Sequence, residues 1–348
     1  MNGRAALPGI TVFLLTAGAL VVVIAGLKTA SPVVVPFLLA VFVSVVASPP
    51  LFWLQAKGLP RWAALTLIIL AGLLIHALLV ALFGNAIAEF TRAYPGYNAR
   101  LQAGMAEAGL WLKRHGLLGA GDAYTQLLAA FDPSAVMRLV GNLFAGLGNL
   151  LTNAFFILLT VIFILVEAPS FPDKLRRISR HPEETLAHLV VLGRDLTHYL
   201  AIKTVVSLVT GVLIAVWLAV LDVDFAVLWG LLAFLFNFVP NIGSIIAAVP
   251  AVLLALVQGG LQLALATAGG YVLVNVILGN IIEPQAMGQG LGLSTLAVFL
   301  SLIFWGWVLG PVGMLLAVPL TMVLKAVLEN RPGTRWVGIL LGPGRPGG

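Results

Sequence analysis

The chain has 348 residues, of which 61% are hydrophobic and only 9% charged, with no cysteine and a formal net charge of +6. Soluble domains carry roughly 25% charged residues, so this composition exceeds what a soluble core absorbs and indicates an all-α polytopic membrane protein. The basic excess lies in short loops between apolar runs, where orientation signals belong, which argues against a nucleic-acid partner and for membrane lipid. The lack of cysteine excludes disulfides, thiolate zinc sites and thiol catalysis.

In chain order, the first apolar run is 10–27. Arg4 before it gives it the outline of a signal peptide, but Lys28 follows directly and no small-x-small site is present, so it reads as a retained helix. A second span covers 33–54, where Ser48-Pro49-Pro50 predicts a kink or an end. A third covers 62–88, after the basic turn Lys57–Arg61. Residues 89–141 change character, with scattered charge and Leu101, Met105, Ala108 and Leu112 at helical spacing, and read as an extracytoplasmic amphipathic helical region. A fourth span lies within 142–168. The stretch 169–202 holds Lys174, Arg176, Arg177, Arg180 and Arg194 and reads as a cytoplasmic linker helix, with Glu167 as an ion-pair partner. Residues 203–330 hold spans five to eight and residues 331–348 a disordered tail. Counting crossings from the basic linker puts both termini in the cytoplasm. The expectation is eight spans plus one re-entrant hairpin.

That hairpin is the segment 225–257, in which two apolar runs flank Pro240-Asn241-Ile242-Gly243. Each run has about 15 residues and reaches only ~22 Å as a helix, against a hydrocarbon core of ~30 Å. Broken helices of this kind frame binding sites in transporters. Pro240, Gly243 and Pro250 have an echo in Gly313 and Pro319, since Ala-Val-Pro follows the break both times. Asn237 and Asn241 flank Pro240, and either bind solute or ion or satisfy the freed backbone.

Glu283 is the other candidate. It ends the run 261–282 and begins Glu283-Pro284, leading to the glycine-rich loop around Gly288. On a helical wheel Asn280 lies within about 60° of Glu283 and Asn275 about 80° away. One carboxylate and two carboxamides are suited to a proton or cation, and an ionisable residue at membrane depth is a functional candidate; the alternative is an interfacial cap or ion pair. No nucleotide loop, zinc motif or nucleophile elbow is present, so no enzyme is indicated and no cofactor beyond a coupling H⁺ or Na⁺.

Four stretches, PFLLAVFVSVVASPPLFWLQAKGLPRWAA, FNFVPNIGSIIAAVPAVLLAL, EPQAMGQGLGLS and GPVGMLLAVPLTMVLKAVL, together resemble the AI-2E family of bacterial membrane transporters. The resemblance implies a bacterial inner-membrane protein of about eight spans that exports a small molecule as a homo-oligomer, with pentamers expected. Some members are linked to cation/proton antiport. By position it carries over Pro240, Gly243, Pro250, Glu283, Pro284, Gly288, Gly313 and Pro319. Lys203 departs from it, at a position that is more often uncharged and polar. A passive pore and a cation/proton antiporter remain the alternatives to solute export.

Overall fold

The computed structural model describes residues 9–114, 141, 153–178, 181–240, 242–287, 292–330 and 332–343. Among these there is no strand. The helices are α1 (Gly9–Thr29), α2 (Ser31–Ala56), α3 (Arg61–Arg114), α4 (Asn153–Ile178), α5 (Pro182–Val220), α6 (Ala226–Phe236), α7 (Gly243–Val274), α8 (Glu283–Met287), α9 (Thr295–Leu315), α10 (Ala317–Glu329) and α11 (Arg335–Leu341). A π-helix, Asn275–Ile282, joins α7 to α8. Among the described residues, six segments are long and apolar enough to cross a membrane: Ser31–Ala56, Arg61–Ala93, Asn153–Ile178, Pro182–Val220, Gly243–Met287 and Thr295–Leu315. The first expected span is apolar over Leu14–Thr29, and the last is the 13-residue α10.

Helix α5 illustrates why these helices need lipid. Lys203, Ser207, Thr210, Ile214 and Leu218 are buried, while Val205, Leu208, Val212, Val216 and Val220 on its other side are exposed. Polar inside and aliphatic outside inverts the soluble pattern and suits a hydrocarbon surround.

Several expected boundaries are not breaks in the backbone. Helix α2 continues through Pro49 and Pro50. Pro49 has no N–H for the Val45 carbonyl, and the Ser48 hydroxyl donates to that oxygen at 2.8 Å instead. Helix α3 runs unbroken past residue 88 for 54 residues, and α5 joins the basic linker to span five across residue 203 as one 39-residue helix. Polarity changes along both helices while their backbone bonding does not. The tail is also not wholly disordered: α11 packs on α10, with Gly338 against the Glu329 backbone, and its Leu341 carbonyl accepts from the Ser294 N–H at 2.9 Å.

The chain divides into two compact units, residues 45–291 and residues 1–44 with 292–348. In the first, the hairpin is the core. Leu228, Trp229, Leu232 and Ala233 from α6 and Ala247, Ala251, Leu254 and Ala255 from α7 pack with Phe83, Phe90 and Tyr97 of α3 and Ile214 and Leu218 of α5. Gly211 of α5 and Gly230 of α6 bring the backbones so close that a Cβ on either would lie within 2.7 Å of the other's carbonyl oxygen, the small-residue packing that membrane helices favour.

In the second unit, Gly310 (φ 72°) interrupts α9 just before Pro311, and α10 returns from Leu316 with Trp305 Nε1 donating to Thr321 Oγ1 at 3.1 Å. Lys28 of α1 lies 4.1 Å from the centroid of the Trp307 ring.

Candidate functional site

The hairpin arms are unequal. Helix α6 has 11 residues, and the second arm starts at Gly243 and breaks at Gly259 (φ −134°) and Gly260 (φ 73°). That gives arms of roughly 16 and 24 Å, each short of a hydrocarbon core. The tip carries its own hydrogen bonds: Val239 N–H to the Phe236 carbonyl at 2.8 Å, Ile242 to Pro240 at 2.7 Å and Gly243 to Val239 at 3.1 Å. The described amides of this broken backbone are thus satisfied within the protein. Gly243 is required there, since a Cβ would fall 1.8 Å from the Phe236 carbonyl oxygen; in the other unit a Cβ on Gly313 would fall 2.0 Å from that of Trp305.

The prolines expected as hinges are placed differently. Pro250 is fully buried inside α7, where the only non-helical dihedrals are those of Gly259 and Gly260. Pro319 lies in the first turn of α10, where a missing N–H costs nothing. Pro284 stands in α8, directly after the π-helix. A proline there cannot donate to the carbonyl of residue 280, and the wider π turn before it relieves the ring clash.

At the open end of the hairpin, Gln258 closes the mouth. Its Nε2 donates to the Asp222 carbonyl at 2.7 Å, and its Oε1 accepts from the Asp224 N–H at 3.0 Å. Asp224 also receives Tyr97 OH on its carboxylate at 2.5 Å and Trp229 Nε1 on its carbonyl at 2.9 Å. These bonds hold Asp222 (φ 56°) and Phe225 (φ 63°) in the left-handed region, which costs an L-residue roughly 1–2 kcal/mol. Burial, reinforced by the bond to Asp224, pushes the Tyr97 phenol above its usual range.

The polar face of α5 leads inward from the other end. Lys203 Nζ donates to Glu283 Oε1 at 2.5 Å, with side chains only 4% and 15% exposed. One turn further, Ser207 Oγ accepts from Asn237 Nδ2 at 2.9 Å, both residues buried. Beyond these lies a small cavity lined by Thr210, Asn237, Ser244, Tyr271 and Asn275 together with Ile214, Ala233 and Val274. The face is polar for about 10 Å along the helix, and the buried Ile214 and Leu218 close it.

Of the residues singled out from the sequence, Glu283, Asn237 and Asn275 are thus brought to one polar strip. Asn280 is exposed and stands apart from it. Asn241 and Gly288 lie outside the described residues. Glu283 does not end its helix, which continues to Met287, and it is paired with a lysine inside α5, not with a residue of a basic loop. Its partner, Lys203, had been noted only as a departure from a family pattern. Ser207, Thr210 and Tyr271 were missed. The first two lie four and seven residues after Lys203, a helical stripe, but one inside a valine- and leucine-rich run. The linker pairing did form, between Lys174 and Glu167.

Polar strips walled by lipid-facing helices and ending at a broken hairpin define a multi-pass membrane protein with a transporter-like interior. Residues 17–333 match the AI-2E family transporter model, and the chain belongs to that family. It is 42% identical over 324 residues to the AI-2 transport protein TqsA of Escherichia coli K12, covering 93% of each chain. It is 40% identical to a putative transport protein of Haemophilus influenzae over 94% of this chain and 95% of that one. It is 37% identical to the putative transport protein YhhT of Escherichia coli K12 over 96% and 95%.

Proposed function

We propose that this protein is a carrier of the bacterial inner membrane that exports a small, uncharged solute in exchange for protons, with Glu283 as the group that takes up and releases the proton. The observation that carries the reading is the Lys203–Glu283 pair, withdrawn from solvent at the head of a polar strip that ends at the hairpin tip. Ionisable groups at this depth are costly and mark ion pathways. The proton is favoured over sodium because the Lys203 ammonium already occupies the carboxylate, whereas protonation dissolves the pair without displacing it. Tyr199, one turn before Lys203, is buried too, and His198, Asp195 and Arg194 are further titratable or charged groups on this stretch of α5.

The fixed charges on the strip, Lys203 and Glu283, neutralise each other, which argues for an uncharged solute. The name of the Escherichia coli relative makes autoinducer-2 the first solute to test. The reading has both termini in the cytoplasm, and it is supported by Arg61 Nη2, which donates to the Leu165 and Val166 carbonyls at 3.1 Å. That puts the Lys57–Arg61 turn beside the start of the basic linker, and basic loops stay inside. The working unit is a homo-oligomer, a pentamer on the strength of the resemblance, seated in lipid.

The experiment is solute flux in proteoliposomes under an imposed pH gradient, an imposed sodium gradient, or neither. Flux that follows the pH gradient supports the carrier. Flux indifferent to every gradient identifies a pore, and flux that follows sodium alone removes the proton from the account.

A further inference from the structure

Where span four ends, the chain becomes sharply two-sided. After a 3₁₀ turn at Ala168–Ser170, the last eight residues of α4, Phe171–Ile178, form one further helical stretch. On a helical wheel Phe171, Leu175 and Ile178 fall within about 60° of one another, while Asp173, Arg176 and Arg177 lie more than about 100° from their centre. The apolar side is uncovered: Phe171 is 55% exposed and Ile178 80%.

A neighbouring turn fixes the depth of this stretch. The Arg61 bonds to the Leu165 and Val166 carbonyls hold the Lys57–Arg61 turn beside the end of span four. Trp53 and Trp62 flank that turn and are 58% and 72% exposed. Exposed tryptophans on both sides of a basic turn mark the headgroup level of a bilayer. Phe171 follows Val166 by five residues, so the two-sided stretch leaves the span at that level. A helix with this pattern beds its apolar side among the acyl chains and keeps its charges among the headgroups. The exposed Phe163 and Val166 bring the lipid-facing surface of span four up to it.

The charges select the kind of lipid. Lys174 pairs with Glu167, and Arg176 with Asp173 and with Glu183 at the start of α5. Arg177 and Lys57 have no acidic partner among the described residues. Lys57 Nζ stands 4.9 Å from the centroid of the Trp53 ring instead, which leaves its charge uncompensated. Two such cations at headgroup depth complement phosphates that carry a net negative charge. We propose that Phe171–Ile178 and the Lys57–Arg61 turn together form a binding surface for anionic phospholipid. The Arg176–Glu183 pair links this anchorage to α5. Neither the solute, the coupling ion nor the side of the membrane enters into it.

The test is fluorescence quenching of the full chain in phosphatidylcholine vesicles, with bimane attached through Ile178→Cys; the chain has no other cysteine. A minor fraction of the lipid is brominated in its acyl chains, either as phosphatidylglycerol or as phosphatidylcholine, and bromine quenches a fluorophore that it touches. Brominated phosphatidylglycerol is expected to be enriched about fivefold at the label over brominated phosphatidylcholine. Adding Lys57→Gln and Arg177→Gln, both at exposed positions, should bring the two lipids level. Equal quenching by both lipids before those changes means ordinary bilayer contact and overturns the proposal. A preference that survives them places the anionic site elsewhere and overturns it as well. So does a label that neither lipid quenches, which is either covered by protein, a second copy included, or standing in water.

Discussion

Lys203 and Glu283 meet at 2.5 Å although 80 residues separate them in the sequence, and the contact fastens the middle of α5 to the junction of the π-helix with α8. Removing one member of such a pair strands a buried charge, at a cost of roughly 3–5 kcal/mol, whereas removing both costs far less. Glu283→Gln and Lys203→Gln should therefore each lower stability in detergent by about 3 kcal/mol, and the double variant should recover most of the loss. Chemical unfolding of the four proteins in a double-mutant cycle checks this. Additive losses would show that the charges are solvated separately.

The hairpin mouth makes a second prediction. Tyr97→Phe removes a hydrogen bond to a carboxylate, and a loss of about 1.5–3 kcal/mol is expected. The phenol is held above its usual range in the folded protein, so the folded state keeps its proton longer than the unfolded chain does. Its contribution is complete below about pH 10, the unfolded value, and declines as the pH rises beyond that. Melting curves of wild-type and Tyr97→Phe protein, recorded up to pH 11, should draw closer at the alkaline end, by about 1.4 kcal/mol for one pH unit above the unfolded value.

A third prediction concerns the tip. Gly243→Ala places a methyl where 1.8 Å separates it from the Phe236 carbonyl oxygen, and the backbone on both sides is fixed by turn bonds. The expected cost is on the order of 4 kcal/mol, at the upper end for a single substitution. Size-exclusion profiles should show little monodisperse protein. Gly84→Ala, where a Cβ meets nothing within 4 Å, serves as the control.

The sequence carried the class of the fold in its composition, and the hairpin arms in the proline and glycine positions, because lipid allows no other use of so apolar a chain. The continuity of α3 and α5 was hidden: charge density falls off along a helix without ending it, so a polarity boundary is not a backbone boundary. Glu283 and Asn237 were visible as polar residues in apolar runs. Lys203 as the partner of Glu283 was not, since the pairing depends on the crossing of α5 with the π-helix, which no local pattern encodes. Tyr271 looked like one more aromatic residue in a span; its place beside Asn237 and Asn275 in the lining of the small cavity is set by packing.

Sidedness yields a fourth prediction, helped by the absence of native cysteine. Arg177→Cys in the basic linker should react with an impermeant maleimide only in inside-out vesicles, and Asp222→Cys at the hairpin mouth only in right-side-out ones. Labelling of both from one side would mean that α5 does not cross the membrane, and the exchanged pattern would invert the topology.

The most direct test of the central claim is proton-driven flux through the Lys203→Gln/Glu283→Gln variant, which removes the titratable carboxylate without stranding a charge. In proteoliposomes with an imposed pH gradient, wild-type protein should move solute uphill, while the variant, folded and equally abundant, should do no more than equilibrate it. Uphill transport by the variant at the wild-type rate would contradict the account and release Glu283 from any part in coupling.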